Sequence, residues 1–324
     1  MQEPTTFNMV SRLKLISNSV IESTLTYKEL VPAIEKCLAN FSAGKVVQPL
    51  RSVVPVEPHN GLLFSMCAHD TSEDVLALKN VALYPDNHKQ GLSSHLTQVL
   101  YFQPSTGALL AVMDGESITA MRTAAASVVA TKYLAKEDSK VLSILGAGVQ
   151  AYSHAKALTS SFKFDKIFIW NRTQSTGEKF CEEIKHLAKV VKFCPSTKEA
   201  VCDADVIVTA TFSSTPILHG QDLKESVHIN SVGACTPHLR ELDDRCMELC
   251  AVIADSRVSA LAESGDIISA KKEVLCEVGN IINGEVEVNR TRRTLFKSLG
   301  IAVEDVTAAN LVWEKVGKQQ PVGF

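Results

Sequence analysis

Charge of one sign is missing from this 324-residue chain: 33 Lys and Arg stand against 36 Asp and Glu, a formal net charge of −3. No strongly basic face is offered to a phosphate backbone, so a nucleic-acid partner is not expected. Long apolar runs are missing too. The longest, such as Val206-Ile207-Val208, are strand-sized, far below the roughly 20 residues that cross a bilayer, and no membrane span is expected. The opening Met1-Gln2-Glu3-Pro4 lacks a basic stretch leading into an apolar one, so no signal peptide is read there and a cytoplasmic location is expected. Nine cysteines occur, but without a C-x-x-C pair or a Cys/His cluster at zinc-ligand spacing. Cys246 and Cys250 would share a helix face without completing a metal site; reduced, buried thiols are expected, with no metal and no disulfide. What is present, 45% apolar and 21% charged residues, is the composition of an ordinary folded protein. At roughly 100–200 residues per domain, the length suggests about two domains.

The clearest rhythm lies mid-chain. An apolar run at 140–145 (KVLSIL) stops at Gly146-Ala147-Gly148-Val149-Gln150-Ala151, a helix-compatible stretch follows to about 158, and a second run fills 166–170 (KIFIW). Residues 176–189 read as helix and 190–193 as strand, while Ser196-Thr197-Lys198-Glu199 has the form of a capping box that opens a short helix. Runs at 205–210, 227–232 and 251–254 supply further strands. Buried strands alternating with helices argue for an α/β, doubly wound parallel sheet, assigned to residues 120–295. The flanks differ, with strand-like stretches at 50–56, 61–67, 76–83, 97–103 and 108–113 and helices near 27–41 and 118–134. A helical segment is read from Ser298 to about 316. Residues 1–119 completed by 296–324 then form a second α/β domain.

Gly146-x-Gly148-x-x-Ala151 sits between a predicted strand and a predicted helix, the context that a dinucleotide fingerprint needs. The first glycine permits the tight turn and the second lets the backbone approach a pyrophosphate. The third small residue allows close helix–strand packing in a Rossmann-type fold. The diphosphate would rest on the N–H groups of the following helix, at Ala147, Val149 and Gln150. NAD sites usually carry an acid at the end of the second strand, yet here that strand ends Trp170-Asn171-Arg172-Thr173. Arg172 offers a guanidinium fork to a 2′-phosphate, with Asn171 and Thr173 beside it, so NADP(H) is the expected cofactor.

Several dispersed stretches carry a family likeness. They are Gln48-Pro49-Leu50-Arg51, Leu78-Lys79, Leu109-Leu110-Ala111-Val112-Met113-Asp114-Gly115 and Ile118-Thr119-Ala120-Met121-Arg122-Thr123-Ala124-Ala125. Further along stand 145–153 (LGAGVQAYS), 169–173 (IWNRT), 204–208 (ADVIV), Glu263-Ser264-Gly265-Asp266 and Phe296-Lys297-Ser298-Leu299-Gly300. Together they resemble the ornithine cyclodeaminase/μ-crystallin family over residues 25–316. The resemblance implies a homodimer whose N-terminal region and C-terminal helix bind substrate and form the interface. It also implies NADPH-dependent reduction of cyclic ketimines with a carboxylate beside the C=N carbon, to cyclic L-amino acids. Δ1-Piperideine-2-carboxylate, Δ1-pyrroline-2-carboxylate and sulfur-containing ring ketimines are the implied substrates. Vertebrate crystallin members also bind thyroid hormone, a further implied ligand.

Such chemistry needs a clamp for the carboxylate, a hydride donor and a proton for nitrogen. Arg51 fits the clamp and Lys79, in an apolar strand, fits the proton donor, its charged form disfavoured if it is desolvated. Arg122 can share the carboxylate or face the nicotinamide, and these three cations are expected to converge opposite the reduced ring. The resemblance further implies cofactor contacts from Ser94, His95, Thr123, Thr211, Phe212, Val232, Ser298 and Leu299, and a substrate pocket that includes Cys235 and Glu263. His95 is a second possible proton source. Cys235 replaces the acid that cyclodeaminases carry, and Thr236 replaces an arginine of the vertebrate crystallins; the first counts against cyclodeamination and the second against hormone binding. An ornithine cyclodeaminase, an amino-acid dehydrogenase or a non-catalytic ligand-binding crystallin are the alternative readings.

Overall fold

Val75–Leu83 alternates buried residues (Val75, Ala77, Lys79) with half-buried ones (Leu76, Leu78, Asn80), the period of a sheet with one face on a core. In the computed structural model, which describes residues 13–317, this strand is one of seven in a first sheet. They are β1 (Lys14–Ile16), β2 (Val46–Val47), β3 (Ser52–Val56), β4 (Gly61–Asp70), β5 (Val75–Leu83), β6 (His95–Phe102) and β7 (Leu109–Asp114). Their order is β1-β7-β6-β5-β4-β2, with β3 paired to β4; β1 runs parallel to β7 and the other pairs are antiparallel. The start Met1-Gln2-Glu3-Pro4 lies outside the described residues. Between β1 and β2 lie α1 (Asn18–Thr24) and α2 (Tyr27–Ser42), and after β7 comes α3 (Glu116–Leu134).

The second sheet holds β8 (Val141–Leu145), β9 (Lys166–Trp170), β10 (Val190–Phe193), β11 (Val206–Thr209), β12 (His228–Ser231), β13 (Ala251–Ala254), β14 (Cys276–Glu277) and β15 (Thr294–Lys297). All its pairs are parallel, in the order β10-β9-β8-β11-β12-β15-β13-β14. Its central strands are buried along their whole length because helices cover both faces. Those helices include α4 (Val149–Ser161), α5 (Gln174–Ile184) and α6 (Thr197–Val201), the last capped by the Ser196 hydroxyl accepting from the Glu199 N–H. Beyond them lie α7 (Asp244–Leu249), α8 (Arg257–Glu263), α9 (Gly265–Ala270) and α10 (Val278–Ile282). The strand order reverses between β8 and β11, and a ligand crevice opens at such a switch point.

Two corrections concern boundaries. The helix expected from Ser298 is α11 (Ala302–Val312), and before it β15 inserts between β12 and β13. Gly300, at φ +74°, turns the chain between strand and helix. The helix expected over 176–189 is α5, which ends at Ile184. The chain divides into two units: one comprises the residues up to Ala33, Gly44–Thr119 and those from Ala302 onward, and the other Ile34–Ala43 and Ala120–Ile301. In the first unit α11 packs against β4, β5 and β6, with the Tyr101 hydroxyl donating to Asn310 Oδ1 at 2.7 Å and its ring stacked on Trp313. None of the nine cysteines, all among the described residues, is joined in a disulfide. Burial raises the Cys250 thiol to about 12. Among the described residues no helix is long and apolar enough to cross a membrane.

Candidate functional site

The second sheet ends in a glycine turn whose geometry admits no side chain. Gly146, at φ +122°, donates its N–H to the Trp170 carbonyl at 2.8 Å, and a Cβ there would lie 2.4 Å from the Ala210 oxygen. Gly148 differs: a Cβ there would meet nothing within 4 Å, so its bare backbone faces open space. It is the N-cap of α4 and no side chain caps that end, which leaves a 13-residue helix presenting its positive end to the opening. Ala151 is fully buried, allowing α4 to sit close to β8 and β11. This arrangement fits a dinucleotide diphosphate.

The cleft over this turn gathers Gly146, Ala147, Gly148, Asn171, Arg172, Thr211 and Phe212. Val149 is exposed at the start of α4, and the half-buried Gln150 has an Oε1 without a partner among the described residues. Asn171 Nδ2 donates to the Thr173 carbonyl at 2.9 Å, which closes the turn into α5 and leaves Arg172 exposed at the rim. A guanidinium is suited to a phosphate dianion and far less to a neutral hydroxyl. Arg172→Ala is therefore expected to weaken NADPH binding about tenfold or more while leaving NADH nearly unchanged. Fluorescence titration of both nucleotides checks this; equal losses would remove Arg172 as the selector.

At the neighbouring strand ends, Val232 donates its N–H to the Thr209 carbonyl at 2.9 Å and Ser298 to the Ser231 carbonyl at 3.0 Å. The Ser298 hydroxyl is buried and has no partner among the described residues. Leu299 and Gly300 both donate to Asp255 Oδ2 at 2.7 Å. The Gly300 backbone passes so close to Arg122 that a Cβ would stand 2.6 Å from its guanidinium. Arg122 and Thr123 are both buried on α3. Cys235 is half-buried in the loop after β12, and Glu263 is half-buried at the last position of α8.

In the first unit Lys79 is only 3% exposed, on the inner face of β5. It is not a solitary desolvated amine: Asp305, in the first turn of α11, meets its Nζ at 2.7 Å. The same helix end accepts the segment that carries Arg51, because the Val303 N–H donates to Gln48 Oε1 at 2.9 Å. Arg51, half-buried, immediately precedes β3. His95 stands elsewhere. It is exposed, bonded through Nδ1 to Ser94 Oγ at 3.0 Å, and paired with Leu83, four positions and about 13 Å along the strand from Lys79.

Asp305, Asp255 and Glu241 went unread in the sequence. Adjacent acids at Glu304 and Asp305 in an otherwise uncharged helix were the available signal for the first of them. Among the described residues no group of three His, Cys, Asp or Glu side chains is placed to hold a metal ion.

Known proteins share both sequence and architecture. The profile of the ornithine cyclodeaminase/mu-crystallin family matches residues 12–320. The ketimine reductase mu-crystallin of Macropus fuliginosus is 49% identical over 289 residues, covering 88% of this chain and 91% of that protein. The Δ1-pyrroline-2-carboxylate reductase of Thermococcus litoralis, solved in complex with NADH and L-proline, aligns with a TM-score of 0.89 and 38% identity over 93% of this chain and 96% of that one. An archaeal alanine dehydrogenase dimer with bound NAD gives 0.87 and 28%, over 93% and 94%.

Proposed function

This chain belongs to the ornithine cyclodeaminase/μ-crystallin family, and from that premise we propose that it reduces cyclic ketimines bearing an α-carboxylate, using NADPH, to cyclic L-amino acids. Δ1-Piperideine-2-carboxylate, Δ1-pyrroline-2-carboxylate and sulfur-containing ring ketimines are its substrates. The observation that carries the reading is Lys79, an ammonium held inside the sheet core against Asp305, where solubility alone would not place it.

A dinucleotide held at the Gly146–Gly148 turn and by Arg172 would supply the hydride that imine reduction needs. Arg51 holds the substrate carboxylate in a bidentate pair and thereby orients the planar ring. Lys79 gives the proton to the ring nitrogen as the C=N bond becomes C–N, and Asp305 balances the charge at the ammonium. Arg122, which the Gly300 backbone approaches closely, serves beside the carboxylate or the nicotinamide. With Cys235 rather than an acid after β12, a cationic diamine finds no partner there, which disfavours cyclodeamination.

Loss of NADPH absorbance with Δ1-piperideine-2-carboxylate tests the proposal. No consumption with any carboxylated ring imine, or ammonia released from ornithine instead, overturns it. Arg51→Ala is expected to raise KM for the imine by about tenfold or more without changing NADPH affinity. An unchanged KM places the clamp elsewhere.

The proposed setting is the cytoplasm, and the proposed assembly a homodimer. The outer face of the first sheet supports the dimer: the register aligns Leu63, Ala82 and Leu96 in one row and Cys67, Leu78 and Leu100 in another, with Leu63 and Leu96 each 39% exposed. Thyroid hormone is tested in the same assay, as a competitor of the imine.

A further inference from the structure

Glu241 is a wholly buried carboxylate to which no role has been assigned. Its Oε1 accepts from the Thr211 N–H at 2.6 Å and the Thr211 hydroxyl at 2.7 Å. Its Oε2 accepts from the Thr209 hydroxyl at 2.8 Å and the Gly233 N–H at 2.9 Å. One side chain thus ties the end of β11 to the loop after β12, the two strand ends on the far side of the switch point. Behind it, Asp266 Oδ1 accepts from the Glu241 and Leu242 N–H groups at 2.8 and 3.0 Å, and Lys297 Nζ bonds Asp266 Oδ2 at 3.0 Å. Burial pushes the Glu241 carboxyl above its ordinary range, a rise that Lys297 offsets only in part.

The tie is tight. A Cβ on Gly233 would stand 2.1 Å from the Thr211 carbonyl and 2.5 Å from Glu241 Oε1, so the two backbones approach as closely as glycine allows. On its other side the Thr211 segment abuts the fingerprint turn, where a Cβ on Gly146 would meet the Ala210 oxygen at 2.4 Å and Thr211 Cγ2 at 3.3 Å. Thr211 and Phe212 line the cleft, whereas Glu241 lies behind it.

We propose that Glu241 is a positioning residue for the dinucleotide: it sets the Thr211–Phe212 rim against the Gly146 turn without touching the ligand. The inference rests on the dinucleotide reading of the cleft. A backbone N–H faces each carboxylate oxygen, and an N–H cannot reverse to become an acceptor. Glutamine, equal in size, would set its own N–H₂ against one of them and push that strand end away. Only a group with two accepting oxygens fits.

NADPH binding to the full-length protein, followed by fluorescence, tests this alongside thermal unfolding. Wild-type protein that fails to bind NADPH defeats the dinucleotide reading itself, a result distinct from those below. Glu241→Gln is expected to raise the NADPH dissociation constant about tenfold, the worth of a lost charge-assisted hydrogen bond. The ratio of NADPH to NADH affinity should stay unchanged, because Arg172 is untouched. A lower unfolding temperature with wild-type affinity overturns the proposal, since that is what a merely structural carboxylate would give. If Glu241→Gln does not fold, Thr209→Val decides: it removes one donor from Oε2 at a buried site away from the cleft lining. A severalfold loss of affinity supports the positioning role, and unchanged affinity overturns it.

Discussion

Lys79→Met is expected to lower kcat for ketimine reduction by about 100- to 10,000-fold, the usual worth of a positioned proton donor, with little change in NADPH affinity. Methionine keeps the length and apolar contacts of the side chain, so the inner face of β5 stays filled. It also removes the partner of Asp305, whose carboxylate is 1% exposed. Stripping one member from a buried ion pair costs about 3–5 kcal/mol. A drop in activity alone would therefore confound chemistry with folding. The double variant Lys79→Met/Asp305→Leu separates the two. An apolar pair of similar volume tolerates burial, so most of the lost stability should return while turnover does not. Recovery of activity in the double variant would show that Lys79 is structural. Retention of about a tenth of wild-type kcat in the single variant would show the same.

Legibility in the sequence followed burial and chain order. The parallel strands from β8 to β13 were readable because their β-branched runs are uninterrupted and their glycine turn is local: Gly146, Gly148 and Ala151 fall within six residues. β15 was hidden for a physical reason. Thr294-Leu295-Phe296-Lys297 ends in a lysine, which normally marks a surface, yet Lys297 is fully buried because Asp266 and Ser231 meet its ammonium at 3.0 and 3.1 Å. Only a partner 31 residues away permits that burial, and no local pattern reports it. The same holds for Lys79. Its strand and its candidacy are legible, but Asp305 lies far along the chain, so no local pattern shows the amine as half of an ion pair. Glu241 escaped notice because a surface-like Arg240-Glu241-Leu242 segment gives no hint that its carboxylate accepts four hydrogen bonds. Cleft-lining residues were found from motif context; the groups that hold them in place were not.

Acid stability should fall steeply, and two histidines set the window. His154 on α4 is fully buried: its Nδ1–H donates to the Gln150 carbonyl at 2.7 Å and its Nε2 accepts from the Ser127 hydroxyl at 2.9 Å. His228 on β12 is 1% exposed, between Thr294 Oγ1 at 2.9 Å and Asn230 Oδ1 at 3.2 Å, and Asn230 in turn donates to Thr131 at 3.0 Å. Burial lowers both imidazoles to about 4, against an ordinary value near 6.5. In the unfolded chain they take up protons below about pH 6.5, whereas the native protein refuses them until about pH 4. Unfolding therefore binds up to two extra protons in that interval. The stability contributed by neutral burial is complete above about pH 6.5 and is lost as pH falls toward 4, about 3 kcal/mol for each ring. That total is comparable with the whole stability of a typical domain, roughly 5–15 kcal/mol. Urea unfolding at pH 7, 6 and 5 checks the expectation, since the carboxylates titrate mainly below this range. His154→Gln should halve the pH slope at about pH 5–6, at some cost in stability at pH 7. A slope that is flat in the wild type, or undiminished in the variant, would mean that these rings carry their protons inside the folded protein.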